Sequence, residues 1–291
     1  MISTNRSVSC CKQFKELFKR NITYLFRNPI TIRVTFVSTI FVALLTMALF
    51  YKVGAVDLEK DYFLEKTRQS LFNWIGLSFM LTNNMLIPAA QNVVLQMPMQ
   101  VPVFKREIMN HMYSPTAYYF ARTLSGMLVQ IISPILMTIV VFFALGVVIN
   151  FETIMHFLVS SIQLSLVGCA IGYLSGIIFD DDNIARGFVM TFALIFMLVS
   201  GGLNNAANYP PVIDQMQYIS PNRYALENYF RVITTDVNYN PIWKPIINED
   251  SILQNLGFTR GYFECHAFMG VLFLFFYGLG WLVIVLRNAK Y

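Results

Sequence analysis

Charge is what this chain lacks most. Only 13% of its 291 residues are Asp, Glu, Lys or Arg, while 56% are hydrophobic. A typical soluble domain carries roughly 25% charged residues. That shortage excludes an ordinary water-soluble enzyme. Cysteine is also scarce: Cys10, Cys11, Cys169 and Cys265, with no Cys-x-x-Cys pair. A zinc ribbon and a thioredoxin-like site are therefore excluded. Cys265 sits alone in a long polar stretch, so a disulfide from it would need a second subunit. The three histidines, His111, His156 and His266, are scattered along the sequence and read as structural or interfacial. No glycine is followed by lysine, so the chain has no phosphate loop. Asp180, Asp181 and Asp182 read as a solvated acidic loop rather than a cation site. No catalytic residue, no metal and no nucleic-acid partner is expected, and no cofactor is expected to be bound by this chain. The first thirty or so residues are polar and basic, which does not fit a cleavable signal peptide.

Long apolar runs are what is present. Six charge-poor stretches cover residues 34–51, 71–97, 117–149, 154–179, 187–203 and 267–286. A bilayer core is ~30 Å thick and a helix rises ~1.5 Å per residue, so ~20 apolar residues cross it. The expected fold is an all-α membrane protein of six transmembrane helices, forming one domain over residues 1–291. Such a bundle transports, conducts, anchors, or works at membrane depth. Mid-membrane charge is nearly absent, Arg122 being the nearest case. That disfavours a proton- or sodium-coupled carrier, which needs buried ionisable groups.

The basic residues orient the bundle. Arg6, Lys12, Lys15, Lys19, Arg20, Arg27 and Arg33 face a single acid, Glu16, in the first 33 residues. Lys105, Arg106 and Arg122 cluster after the second run, and Arg287 and Lys290 close the chain. Basic loops stay in the cytoplasm, so both termini are expected there. The stretch 234–264 is expected outside. Sequons at Asn5 and Asn21 fall on the cytoplasmic side and read as unused.

Between the runs lie amphipathic pieces. In residues 8–26, Phe14, Leu17, Phe18, Asn21, Ile22 and Leu25 recur at helical spacing and the lysines lie mostly elsewhere. This predicts a helix in the membrane interface or packed on a cytoplasmic partner. Pro102 and Pro115 bracket a short cytoplasmic helix over 103–114, with Phe104, Ile108 and Met112 on one stripe. It reads either as a segment pushed by a partner or as a plain connector. Thr82, Asn83, Asn84, Gln91, Asn92 and Gln96 crowd the second run around Pro88. They either bond other helices or line a path through the bundle. Ser200-Gly201-Gly202 resembles a nucleotide-contacting loop, but it ends an apolar helix, so packing or bending is the better reading. Pro210-Pro211 then opens a second amphipathic piece over 212–230, expected to dip part-way into the membrane.

These pieces, taken in order, resemble the membrane domain of the G subfamily of ABC transporters, the white and breast-cancer-resistance-protein branch. The likeness covers almost the whole chain. Lys19-Arg20 before Arg27-Asn28-Pro29 resembles the family's opening helix. Val103-Phe104-Lys105-Arg106-Glu107 with Tyr113 and Tyr118 is similar to its coupling segment. Ser200-Gly201-Gly202-Leu203 matches the end of its fifth span, and Tyr218-Ile219-Ser220-Pro221-Asn222-Arg223-Tyr224 its re-entrant motif. Three features depart from the family. Gly126 stands where an acid is common four positions after the basic Arg122. Gly202 replaces one leucine of the plug. The outer stretch lacks an internal cysteine pair.

The resemblance implies half of a dimeric exporter for lipophilic or amphipathic substrates, such as a lipid, sterol or xenobiotic. ATP and Mg would belong to an ATP-binding cassette domain. That domain is expected on a separate polypeptide or a missing part of this one. Partners would be that domain, another half-transporter in a homo- or heterodimer, and membrane lipids. Residues 1–30 would form the cytoplasmic opening helix, 103–114 the coupling helix, and 205–265 the outer re-entrant segment and loop. Phe104, Arg106, Glu107 and Tyr113 would couple to the ATPase. Met80, Asn84 and Met85 with Phe192, Phe196 and Met197 would line the cavity, plain helix packing being the alternative for each. Gly202 and Leu203 would form the gate, and Tyr218, Arg223 and Tyr224 the re-entrant motif. A plasma membrane is expected, an organelle membrane being the alternative. A non-transporting scaffold that kept the fold is the competing function, and a channel is third.

Overall fold

The computed structural model describes residues 9–27, 29–51, 63–110, 112–145, 151–239, 253–254 and 256–288, and every regular element among them is helical. In chain order these are α1 (Cys10–Arg27), α2 (Ile30–Leu49), α3 (Phe63–Val94), α4 (Met97–Met109), α5 (Pro115–Gln130), α6 (Ile132–Leu145), α7 (Phe151–Ile178), α8 (Asp182–Leu198), α9 (Pro211–Met216), α10 (Pro221–Tyr239) and α11 (Tyr262–Asn288). His111, the sequon at Asn5 and residues 240–252 and 255 of the expected outer loop lie outside the described residues.

Among the described residues, four segments are long and apolar enough to cross a membrane: Ile32–Leu49, Pro115–Phe142, Phe151–Ile178 and Tyr262–Arg287. Two of the six expected spans fall short on physical grounds. Helix α3 is 32 residues long, but its amides and its charged first turns dilute its hydrophobicity. Helix α8 has only 17 residues, a rise of ~26 Å. Small polar residues are buried inside the bundle beside its apolar core, and large apolar residues face outward. Ser160, Ser161, Ser165, Ser175 and Thr123 are buried, while Phe41, Leu44, Leu128, Ile139, Val271 and Leu274 are exposed. Water would not tolerate that arrangement, whereas lipid favours it.

Small residues set the tightest contact. A Cβ on Gly168 would lie 2.5 Å from the Leu86 carbonyl oxygen, and one on Gly172 2.5 Å from that of Ala90. One on Gly176 would lie 2.7 Å from Met97 Cβ. These glycines fall four residues apart on one face of α7, so α3 and α7 touch backbone to backbone. Because later residues of α3 meet later residues of α7, the two helices run parallel. Helix α11 also runs with α7: His156 meets His266 at one end, and Ile177 meets Arg287 at the other. Helix α5 opposes α11, since Thr116 pairs with Trp281 and Thr123 with Tyr277. The chain therefore alternates in direction, which brings α1, α4, the α7–α8 turn and the end of α11 to one end of the bundle.

Prolines and caps place the breaks. Ser114 caps α5, accepting from the Ala117 amide at 3.2 Å, with Pro115 in the first turn. Pro134 cannot bond the Gln130 carbonyl, and the chain breaks between α5 and α6 at Ile131. The freed carbonyl accepts from Ser165 Oγ at 3.3 Å. The expected 103–114 helix begins earlier than its prolines suggest, at Met97, and ends at Met109. Pro98 falls in its first turn, where a missing amide costs little. The acidic triplet is not merely solvated. Asp181 caps α8, accepting from the Asn183 and Ile184 amides at 2.7 and 3.2 Å, and Asp180 pairs with Arg287 at 2.5 Å.

Candidate functional site

Two polar knots lie at opposite ends of this apolar bundle. The first joins α1 to the end of α4. Arg20 Nη1 donates to Glu107 Oε1 at 3.2 Å, and Nη2 to Oε2 at 3.3 Å. The Tyr113 hydroxyl donates to the same carboxylate. Phe104 is buried against Tyr118, with ring centroids 4.3 Å apart, and Tyr113 stacks on Tyr118 at 5.6 Å. Gln13 accepts from the Ser114 amide at 2.9 Å, adding a second tie to α1. Partial burial alone would raise the Glu107 pKa. The hydrogen bonds from Tyr113 and Arg20 outweigh it and hold the carboxyl below its ordinary value. A lowered carboxylate pKa contributes stability above the unfolded value and loses it as pH falls through the folded one. The knot is therefore intact at neutral pH. Arg106 is exposed and faces away.

The second knot surrounds the re-entrant motif. Arg223 is buried, donates from Nη2 to the Gly257 carbonyl, and stacks on Phe258 at 4.4 Å. It lies beneath the turn after α8, where Gly201 has φ +92° and a Cβ would meet Arg223 Nη1 at 3.0 Å. One turn along α10, Glu227 is fully buried and accepts from the Arg260 amide at 2.5 Å. Arg231 lies 3.9 Å from that carboxylate. Arg260 sits 4.7 Å from the Tyr218 ring centre and 5.0 Å from that of Tyr224, and Tyr224 donates to the Tyr218 carbonyl at 2.8 Å. The structure thus brings Tyr218, Arg223 and Tyr224 together. The sequence reading missed Glu227, Arg231 and Arg260. The signal was there: Arg223, Glu227 and Arg231 are charges four residues apart in a chain that hardly uses charge.

The cavity candidates divide. Met85 and Phe196 are 3% and 4% exposed and packed inside this chain's own core. Met80, Asn84, Phe192 and Met197 are half-buried. Phe192 stacks between Phe188 and Phe196, with centroids 4.5 and 5.9 Å away. The neighbouring amides are spent on helix contacts: Asn83 accepts from Asn222 at 3.3 Å, and Asn92 donates to Thr35 at 3.4 Å. Leu203 is 57% exposed, and the place of a Gly202 side chain is filled by the Phe79 ring, 2.3 Å from a built Cβ.

Two readings need correction, whereas the buried Asn21 agrees with a sequon read as unused. Cys265 is fully buried in the first turn of α11, so it offers no surface thiol to a second subunit. The histidines are not all scattered: His156 Nδ1 lies 3.2 Å from His266 Nε2, and His266 Nδ1 lies 2.8 Å from Gln163 Oε1. Parallel packing of α7 and α11 joins residues 110 apart, which periodicity within either helix does not reveal.

Residues 12–233 match the ABC-2 type transporter family. The chain belongs to that family. Among curated relatives, the "Broad substrate specificity ATP-binding cassette transporter ABCG2" of Bos taurus is 26% identical over 222 residues, 75% of this chain and 32% of that protein. "ABC transporter ATP-binding protein/permease wht-3" of Caenorhabditis elegans is 24% identical over 189 residues, 65% of this chain and 31% of its own length. "Protein white" of Drosophila melanogaster is 21% identical over 215 residues, covering 74% and 30%. The chain spans about a third of the length of these relatives. It is a multi-pass integral membrane protein similar to G-subfamily transporters.

Proposed function

We propose that this ABC-2 domain is the membrane half of a dimeric exporter of amphipathic or lipophilic substrates. Six helices would cross the bilayer: α2, α3, α5 with α6, α7, α8 and α11. Their alternating direction supports this reading, as does the outward apolar face. ATP is hydrolysed by an ATP-binding cassette domain, on the same longer chain or on another. The observation that carries the proposal is the Arg20–Glu107–Tyr113 knot. It fastens α1 to the segment between two crossing helices, so a push on either moves both. Closure of the ATPase pair would drive the bundle between inward-open and outward-open states. In proteoliposomes holding this chain and its cassette partner, a fluorescent amphipathic dye should move only with ATP. Stimulated hydrolysis without dye movement for any amphiphile would favour the scaffold reading instead.

Leu203 is the proposed gate. Its exposure in the single chain leaves it free to meet its counterpart across a dimer axis. If closure buries it, Leu203→Ala removes ~2–3 kcal/mol of apolar contact, and even half of that shifts an open–closed ratio about tenfold. Faster passive leak with retained ATP hydrolysis is the expected outcome. Leu198→Ala, on an equally exposed leucine one helical turn earlier, should leave leak unchanged. Wild-type leak in both variants removes the gate from Leu203.

A further inference from the structure

A cavity of about 720 Å³ opens between α1, α4 and α5, and neither knot fills it. Arg122 lies at its floor, 3% exposed. Its Nη2 donates to Gln96 at 3.0 Å, and its Nε has no partner. Among the described residues no carboxylate pairs with this guanidinium. Glu107, on the same wall, is taken by Arg20 and Tyr113. One turn beyond Arg122, Gly126 has no side chain to offer, and the Tyr173 hydroxyl stands where its Cβ would be. Asn21 also lines the cavity, buried, with its Nδ2 unpartnered. A buried cation without a counter-charge is strongly unfavourable. The cavity's rim is the opposite in character: Tyr24, Ile30, Leu95 and Val103 are apolar and exposed.

We propose that this cavity is a binding site for an anionic lipid, its headgroup phosphate on Arg122 and Arg20 and its acyl chains against the rim. A guanidinium and an amide N–H are donors suited to phosphate oxygens. The exposed hydrocarbon rim favours a lipid over a free anion, which would leave those side chains uncovered. The site requires only that the chain sits in a membrane. It stands apart from the exporter proposal, because lipid retention is read without ATP or a cassette partner.

Native mass spectrometry of the purified full chain in detergent tests it, with phosphatidylserine, phosphatidylcholine and inorganic phosphate as probes. Wild type should hold phosphatidylserine about tenfold more tightly than phosphatidylcholine. Inorganic phosphate in excess should not displace the lipid. Arg122→Gln should abolish the preference, and Arg122→Lys should keep part of it. Should Arg122→Gln fail to fold, Val103→Glu decides. It adds a negative charge at an exposed rim position and should lower phosphatidylserine binding several-fold. Equal retention of both lipids by wild type, or wild-type preference in Val103→Glu, overturns the proposal. Displacement by inorganic phosphate overturns the lipid assignment.

Discussion

Glu107→Ala should cut substrate moved per ATP hydrolysed by about tenfold while the chain still inserts in the membrane. Among the described residues, the carboxylate is the side-chain acceptor shared by Arg20 and Tyr113. Removing it leaves a guanidinium and a phenol facing each other across the α1–α4 contact. Charge-assisted bonds contribute ~1.5–3 kcal/mol when shielded. Arg20 is half exposed, so the lower end applies, and ~1.4 kcal/mol is a decade in an equilibrium. Arg106→Ala should also lower flux, by a different route: its side chain is exposed, and on the proposed reading it meets the cassette domain. Thermal unfolding of the purified chain separates the two. Glu107→Ala should melt earlier than wild type, whereas Arg106→Ala should not. Wild-type flux in both variants would refute a coupling role for this segment.

Glu227→Ala should destabilise the chain by ~3–5 kcal/mol, the usual cost of stripping one partner from a buried charge cluster. The carboxylate is fully buried with Arg231 3.9 Å away and the Arg260 amide bonded to it, and Arg223 one turn before it. Its loss takes away the carboxylate that lies among Arg223, Arg231 and Arg260. Glu227→Gln keeps an acceptor for the Arg260 amide and should cost less. Thermal melting in detergent gives the ranking: wild type, then Gln, then Ala. An alanine variant that melts with wild type would mean the arginines find their counter-charge elsewhere.

What the sequence made legible is what depends on local pattern. The all-helical class, the α1 face, the apolar runs and the break before α9 follow from periodicity, hydrophobicity and proline, whereas the piece expected over 212–230 divides into α9 and α10. The boundaries of α4 did not, because Pro98 fits a first helical turn and Pro102 is tolerated within this helix. Residues that act at long range were hidden. Arg20 and Glu107 are 87 apart, and His156 and His266 are 110 apart. Their meeting is decided by tertiary packing: α1 lies against the end of α4, and α7 runs parallel to α11. The amides of α3 were readable as helix contacts or as path lining. Asn83 and Asn92 turn out to bond neighbouring helices, and Asn84 keeps a half-buried side chain.

The glycine face of α7 constrains motion. Where Gly168 and Gly172 meet the α3 backbone there is no layer of side chains to slide or change rotamer. Shear between packed helices works through such a layer, so α3 and α7 can only swing together, as a single lever. Its hinges must sit where backbone bonding is already interrupted. One is the elbow between Val94 and Met97. The other is the break at Ile131, where Ser165 of the lever itself holds the loose carbonyl of the neighbouring helix. A force delivered to α4 would therefore turn the whole pair about the end next to α4, with the largest displacement arriving at the far knot around Arg223.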